Sequence, residues 1–132
     1  MNIVGDIAYP WQMLNADLHL HTLTPNYAPV GLLEMFLESA RDAKVLKVLD
    51  VGCFCGGSGR WIKQKFPGAE VIGIEMLLKA AEVAAEDYDK VIVSTFEDVD
   101  FEAEGLARGS VDAIIAADVL EHLYNPWQAL QR

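Results

Sequence analysis

Lys47-Val48-Leu49-Asp50-Val51-Gly52-Cys53-Phe54-Cys55-Gly56-Gly57-Ser58-Gly59 decides the fold of this chain. An apolar run reaches an acid, Asp50, and breaks into a loop with four glycines. Arg60 to Phe66 reads as a helix that Pro67-Gly68 ends, and a further apolar run, Glu70 to Glu75, closes on a second acid. The order is strand, glycine loop, helix, and strand with an acidic tip. Glycines let a backbone approach a ligand closely. The N–H groups of a helix start face the same place, and an acid at the next strand end can grip ribose hydroxyls. The segment predicts a nucleoside-containing cofactor, with Glu75 as its ribose acid.

Working outward, Val30 to Ala43 has Leu33, Phe36, Leu37 and Ala40 at helical spacing behind Pro29. Val45 to Val51 is apolar on both faces, as a covered parallel strand should be. Alanine-rich Leu77 to Glu86 favours helix. Lys90 to Ser94 reads as the third strand, Phe101 to Arg108 as a short helix or loop, and Val111 to Ala117 as the fourth strand. A last helix starts at Asn125-Pro126-Trp127, with Asn125 as N-cap and Pro126 in the first position. Strands alternating with helices imply a parallel sheet with right-handed crossovers. The expected fold is α/β, a Rossmann-like sheet in the order 3-2-1-4, over residues 27–132. Residues 1–26 form an N-terminal extension without clear periodicity.

Two motifs carry a family resemblance. Asp50-Val51-Gly52-Cys53-Phe54-Cys55-Gly56 resembles the acid-x-Gly-x-Gly-x-Gly motif of class I S-adenosylmethionine-dependent methyltransferases, with Phe54 in place of the middle glycine. Val111 to Leu123 resembles the fourth strand and following turn of the small-molecule branch, where an apolar strand runs into Asp-Val-Leu-Glu-His-Leu. The resemblance covers Leu46 to Arg132. It implies S-adenosyl-L-methionine as cofactor and methyl transfer to a small-molecule acceptor. It also implies cofactor contacts from Asp50, Gly52, Gly56 and Glu75, with Gly57 in support. Thr95 stands where the family often has an acid for the adenine amine, and Phe96 would flank the adenine face. Asp118 would lie where cofactor and acceptor meet, and His122 is the candidate general base, since an imidazole titrates near neutrality. The family continues with three more strands, so the resemblance implies the N-terminal part of a longer enzyme. Strand four would then be a bare apolar edge open to self-association.

Composition narrows the classes. The chain has 132 residues, 52% of them hydrophobic and 23% charged, which fits one globular domain. No apolar run reaches the ~18 residues that span a bilayer. The first residues lack a basic signal-peptide start, and the expected location is the cytoplasm. A formal net charge of −10 disfavours nucleic acid and anionic membranes. Arg60, Lys63 and Lys65 read as a solvated helix face. Cys53 and Cys55 are too close for an unstrained disulfide and read as small, reduced loop residues.

Other readings stand beside methyl transfer. Asp17-Leu18-His19-Leu20-His21-Thr22 resembles the opening metal motif of the polymerase-and-histidinol-phosphatase phosphoesterases. That chemistry needs more ligands downstream, where only His122 remains among the histidines. NAD-dependent redox chemistry shares the strand-end acid, but Gly52, Phe54 and Ser58 break its glycine fingerprint. A catalytically silent cofactor-binding or interaction module is the alternative from another class. Asp50 has a structural reading too, as a loop-bracing acid.

Overall fold

The computed structural model describes residues 31, 33–35, 38, 46–117 and 119–131. The described residues of the first expected helix are helical, and Leu33 is buried. The sheet comprises β1 (Lys47–Val51), β2 (Glu70–Glu75), β3 (Lys90–Val93) and β4 (Ala113–Ile115), in the expected order β3-β2-β1-β4. All three pairings are parallel. Asp50 pairs with Gly73 on one side and Ile115 on the other, so the chemically distinctive strand ends lie side by side. Helices α1 (Gly57–Lys65) and α2 (Leu78–Ala84) make the crossovers, and α3 (Pro126–Leu130) follows β4.

Alternate strand residues feed two cores. Val48 and Val71 join Leu33, Cys53, Ile62, Ala84 and Tyr88 on one face. Leu49, Val51, Ile72 and Ile74 join Ile92, Val99 and Leu106 on the other. Each fully buried aliphatic side chain contributes about 1.5–3 kcal/mol. Ile62 is the side chain by which α1 anchors to the sheet, and its truncation to Ala costs about 2–5 kcal/mol.

Some boundaries differ from the sequence reading for local reasons. Helix α1 begins at Gly57, inside the glycine loop rather than at Arg60, and ends at Lys65. Its N-cap is Gly56, at φ 87°. Residues 101–108 form turns, not a helix, and Gly105 and Gly109 have left-handed φ values of 75° and 76°. Strand β4 is shorter than 111–117. Just before Ala113 the Asp112 carboxylate accepts the Lys47 N–H at 2.8 Å in place of a backbone carbonyl, while the Asp112 N–H still donates to the Lys47 carbonyl at 2.8 Å. Asn125 caps α3 as expected, accepting the Gln128 N–H at 3.0 Å, with Pro126 in the first turn. Among the described residues β4 pairs only with β1, and Ile114 on it is 62% exposed. No helix among them is long and apolar enough to cross a membrane. The Asp17–Thr22 motif lies outside the described residues.

Candidate functional site

The loop between β1 and α1 is fastened across the end of β2. The N–H groups of Gly52 and Cys53 both reach the Ile74 carbonyl, at 2.8 and 3.1 Å. The loop then passes through three left-handed positions: Gly52 at φ 69°, Phe54 at 49° and Gly56 at 87°. The middle one is where glycine is replaced. A non-glycine residue held in that region costs about 1–3 kcal/mol.

Glu75 compensates by receiving the strained residue's backbone. One carboxylate oxygen accepts the Phe54 N–H at 2.9 Å, and the other accepts the Leu77 N–H at 2.9 Å. Glu75 is 8% exposed. Burial raises its pKa, opposed by hydrogen bonds from the backbone of Leu77, Phe54 and Met76. A carboxylate has about four acceptor sites, so these bonds leave capacity for a ligand hydroxyl. The acid thus shapes the loop it was expected to act beside.

Asp50 is 3% exposed behind the loop. Its carboxylate accepts the Tyr88 hydroxyl proton at 2.5 Å. Burial pushes its pKa up to about 7; the Tyr88 bond opposes the shift and the neighbouring Glu75 charge adds to it. The Tyr88 oxygen accepts the Gly59 N–H at 2.9 Å. Asp50 therefore holds the start of α1 through a tyrosine, which matches its loop-bracing reading. Burial also pushes the Cys53 thiol up, which disfavours its thiolate.

The glycines face the chain's own side chains. A Cβ on Gly59 would lie 2.2 Å from the Tyr88 ring; one on Gly56 would lie 2.9 Å from Ala84 and 3.0 Å from Tyr88. On Gly73 it would meet Cys53 at 2.6 Å and Tyr88 at 3.0 Å, and on Gly52 the Val119 side chain at 2.4 Å. The sequence reading missed Tyr88. Its only signal was an aromatic residue between two acids, Asp87 and Asp89. Those acids meet the basic side chains read as a solvated face: Arg60 pairs with Asp87 at 2.6 Å and Lys63 with Asp89 at 2.7 Å. Lys65 lies 5.8 Å from the Trp61 ring centre.

Beyond β3, the Thr95 hydroxyl donates to the Asp98 carboxylate at 2.7 Å. Thr95 is thus bonded to an acid three residues on. The Phe96 ring packs against Phe101 at 5.2 Å between centres. His122 is exposed at the end of the 3₁₀ turn Leu120–His122, with its N–H on the Val119 carbonyl at 2.9 Å. Asp118 lies outside the described residues.

A parallel sheet of this order, with a left-handed glycine loop against a strand-end acid, matches a known family over most of the chain. The model of a methyltransferase domain matches residues 49–132. The chain belongs to that family. No curated protein matches this methyltransferase domain. Among solved structures, it is similar to the plantazolicin methyltransferase BpumL in complex with SAH: 19% identity and TM-score 0.67, over 95% of this chain and 48% of that one. It is similar to the N-terminal domain of EvdMO1 with SAH bound, at 23% identity and TM-score 0.61, over 86% and 47%. It is also similar to magnesium protoporphyrin IX methyltransferase from Synechocystis PCC 6803 with bound SAM, at 20% identity and TM-score 0.54, over 92% and 55%. The methyltransferase domain described here spans about half the length of these structures. These likenesses show a shared fold.

Proposed function

We propose that this chain carries the S-adenosylmethionine-binding part of a methyltransferase that acts on a small-molecule acceptor. The observation that carries the reading is Glu75, a strand-end carboxylate with remaining acceptor capacity, bonded to the backbone of the glycine loop. When bound, the cofactor supplies a methyl group already activated by a sulfonium centre. The protein's work is to hold donor and acceptor in line and to exclude water. Glu75 accepts the ribose hydroxyls. The backbone around Gly52 and Gly56, with Gly57 in the open first turn of α1, lies along the cofactor. Asp50 keeps that backbone in place from behind. Thr95 with Asp98, and Phe96, border the adenine end. Asp118 and His122 border the acceptor, with His122 as its general base. The net charge of −10 supports a small-molecule rather than a nucleic-acid acceptor, and the reading places the protein in the cytoplasm.

The family match and the SAH- or SAM-bound forms of the similar structures support the choice of cofactor. Calorimetric titration with S-adenosylhomocysteine tests it, with NADH titrated in parallel. Saturable binding of S-adenosylhomocysteine and none of NADH is expected; the reverse outcome, or no binding of either, overturns the reading.

A further inference from the structure

The β1–α1 loop is closed by a residue far away in sequence. Asp50 precedes the loop and Gly59 follows it in the first turn of α1. Tyr88, in the turn between α2 and β3, touches both: its hydroxyl donates to Asp50 at 2.5 Å and accepts the Gly59 N–H at 2.9 Å. Gly56 offers α1 no side-chain cap, so this phenol oxygen satisfies an N–H that a helix start leaves open. The ring lies where Gly56, Gly59 and Gly73 lack side chains, and a Cβ at any of them would come within 3.0 Å of it. On either side, Asp87 and Asp89 hold Arg60 and Lys63 of the same helix, and Asp89 also accepts the Val71 N–H at 2.8 Å. Three consecutive residues thus grip α1 at positions 59, 60 and 63.

We propose that Tyr88 is a positioning residue for the cofactor: its hydroxyl ties Asp50 to Gly59 and so sets the spacing of the loop that receives the ligand. The inference rests on the cofactor reading above. Tyr88 touches no reacting atom; it acts through the backbone it holds. It explains why Gly56, Gly59 and Gly73, on a loop, a helix and a strand, all face one ring. It also gives the buried Asp50 a donor without placing it on the ligand.

Tyr88→Phe is the direct test, because the ring stays against the three glycines and only the hydroxyl is lost. Amide hydrogen exchange at Gly59 should accelerate at least about tenfold, as expected when one protecting bond is removed. Affinity for S-adenosylhomocysteine should fall about tenfold near pH 8 and less near pH 6. The groups facing the tie are Asp50, Glu75 and Cys53, with Asp87–Arg60 and Asp89–Lys63 outside it. Of these, Asp50 is the one whose ionised form, favoured in the natural protein at the higher pH, loses its donor. A pH-dependent loss of this kind is not expected of a residue that only fills space. Unchanged exchange at Gly59, or unchanged affinity, overturns the proposal.

Should Tyr88→Phe fail to fold, the unaltered protein carries the test. With ¹³C-labelled tyrosine, the Tyr88 Cζ resonance should shift as S-adenosylhomocysteine binds. A resonance that stays fixed while the ligand saturates overturns the positioning role. A protein that binds no S-adenosylhomocysteine refutes the cofactor reading and the positioning role with it. Where Tyr88→Phe folds, its Gly59 exchange decides separately whether the hydroxyl holds the loop.

Discussion

The Glu75 carboxylate accepts the N–H of Phe54, 21 residues earlier in the chain, at 2.9 Å, and so holds the most strained residue of the glycine loop. Its other oxygen holds Leu77 at the start of the next crossover. A hydrogen bond to a charged group contributes about 1.5–3 kcal/mol. Glu75→Ala removes both acceptors and should destabilise the fold by up to roughly 3–6 kcal/mol on that scale. Glu75→Gln keeps one acceptor and turns an NH₂ group toward the other N–H, so it should lose roughly half as much. Urea unfolding compares the two. Both should weaken S-adenosylhomocysteine binding more than tenfold, because the proposed ribose contact and the loop both depend on the carboxylate. Variants with wild-type unfolding midpoints would show that the loop holds its shape without Glu75.

The pH dependence of stability should carry the mark of Asp50. Its pKa is raised from an ordinary 3.8 to about 7, with burial as the main cause. A carboxyl whose folded pKa is raised holds its proton more tightly in the folded state, so it costs stability as pH rises from about 4 to 7. The interval corresponds to an upper limit of roughly 4 kcal/mol. Asp50→Asn cannot titrate, yet its carbonyl still accepts the Tyr88 hydroxyl. Relative to this variant, the natural protein should lose stability steadily between pH 4 and 7 and remain level above pH 8. Asp89 has its pKa lowered, by Lys63 and the Val71 N–H against a desolvation penalty, and pulls the other way. It is common to both proteins and cancels in the difference. Parallel stability curves would remove Asp50 from the account.

Gly59 and Gly68 should respond differently to alanine. In a helix interior, alanine normally stabilises by about 1 kcal/mol over glycine. At Gly59 the new methyl would lie 2.2 Å from the Tyr88 ring, whereas at Gly68 nothing lies within 4 Å. Overpacking costs about 1–3 kcal/mol and here exceeds the helix gain. Gly59→Ala should lower the melting temperature, and Gly68→Ala should leave it nearly unchanged. Combining Gly59→Ala with Tyr88→Leu should cost about 1–2 kcal/mol less than the two alone added together. Strict additivity would mean that the ring does not explain this glycine.

The fold was legible because strand alternation and punctuation are local. Val48 and Leu49 serve opposite faces, as do Val71 and Ile72, and Pro67-Gly68 and Asn125-Pro126 mark element ends. The family was legible because Asp50 and Glu75 end adjacent strands around a glycine loop. The job of each residue was less so. Glycines in such a loop read as room for a ligand, yet Gly56, Gly59 and Gly73 face Tyr88, which lies up to 32 residues away in the chain. Arg60 and Lys63 read as a solvated face because their partners, Asp87 and Asp89, arrive only when the α2–β3 turn packs against α1. Contacts made across a crossover leave little periodic trace.

Phe54 offers the last test, since it departs most plainly from the family's motif. Its φ of 49° is the left-handed conformation that the replaced glycine adopts without penalty. Its N–H is bonded to Glu75, and glycine has the same N–H. Phe54→Gly should therefore keep the loop closed and bind S-adenosylhomocysteine within about threefold of the natural protein. Relief of the left-handed strain stabilises by about 1–3 kcal/mol, and the greater freedom of glycine in the unfolded chain offsets up to about 1 kcal/mol. The net result should be a melting temperature equal to or slightly above that of the natural chain. Phe54→Pro removes the N–H and forces φ near −65°, so it should abolish binding and lower stability together. Tight binding by Phe54→Pro, or loss of binding by Phe54→Gly, would transfer the role from the backbone to the phenylalanine side chain.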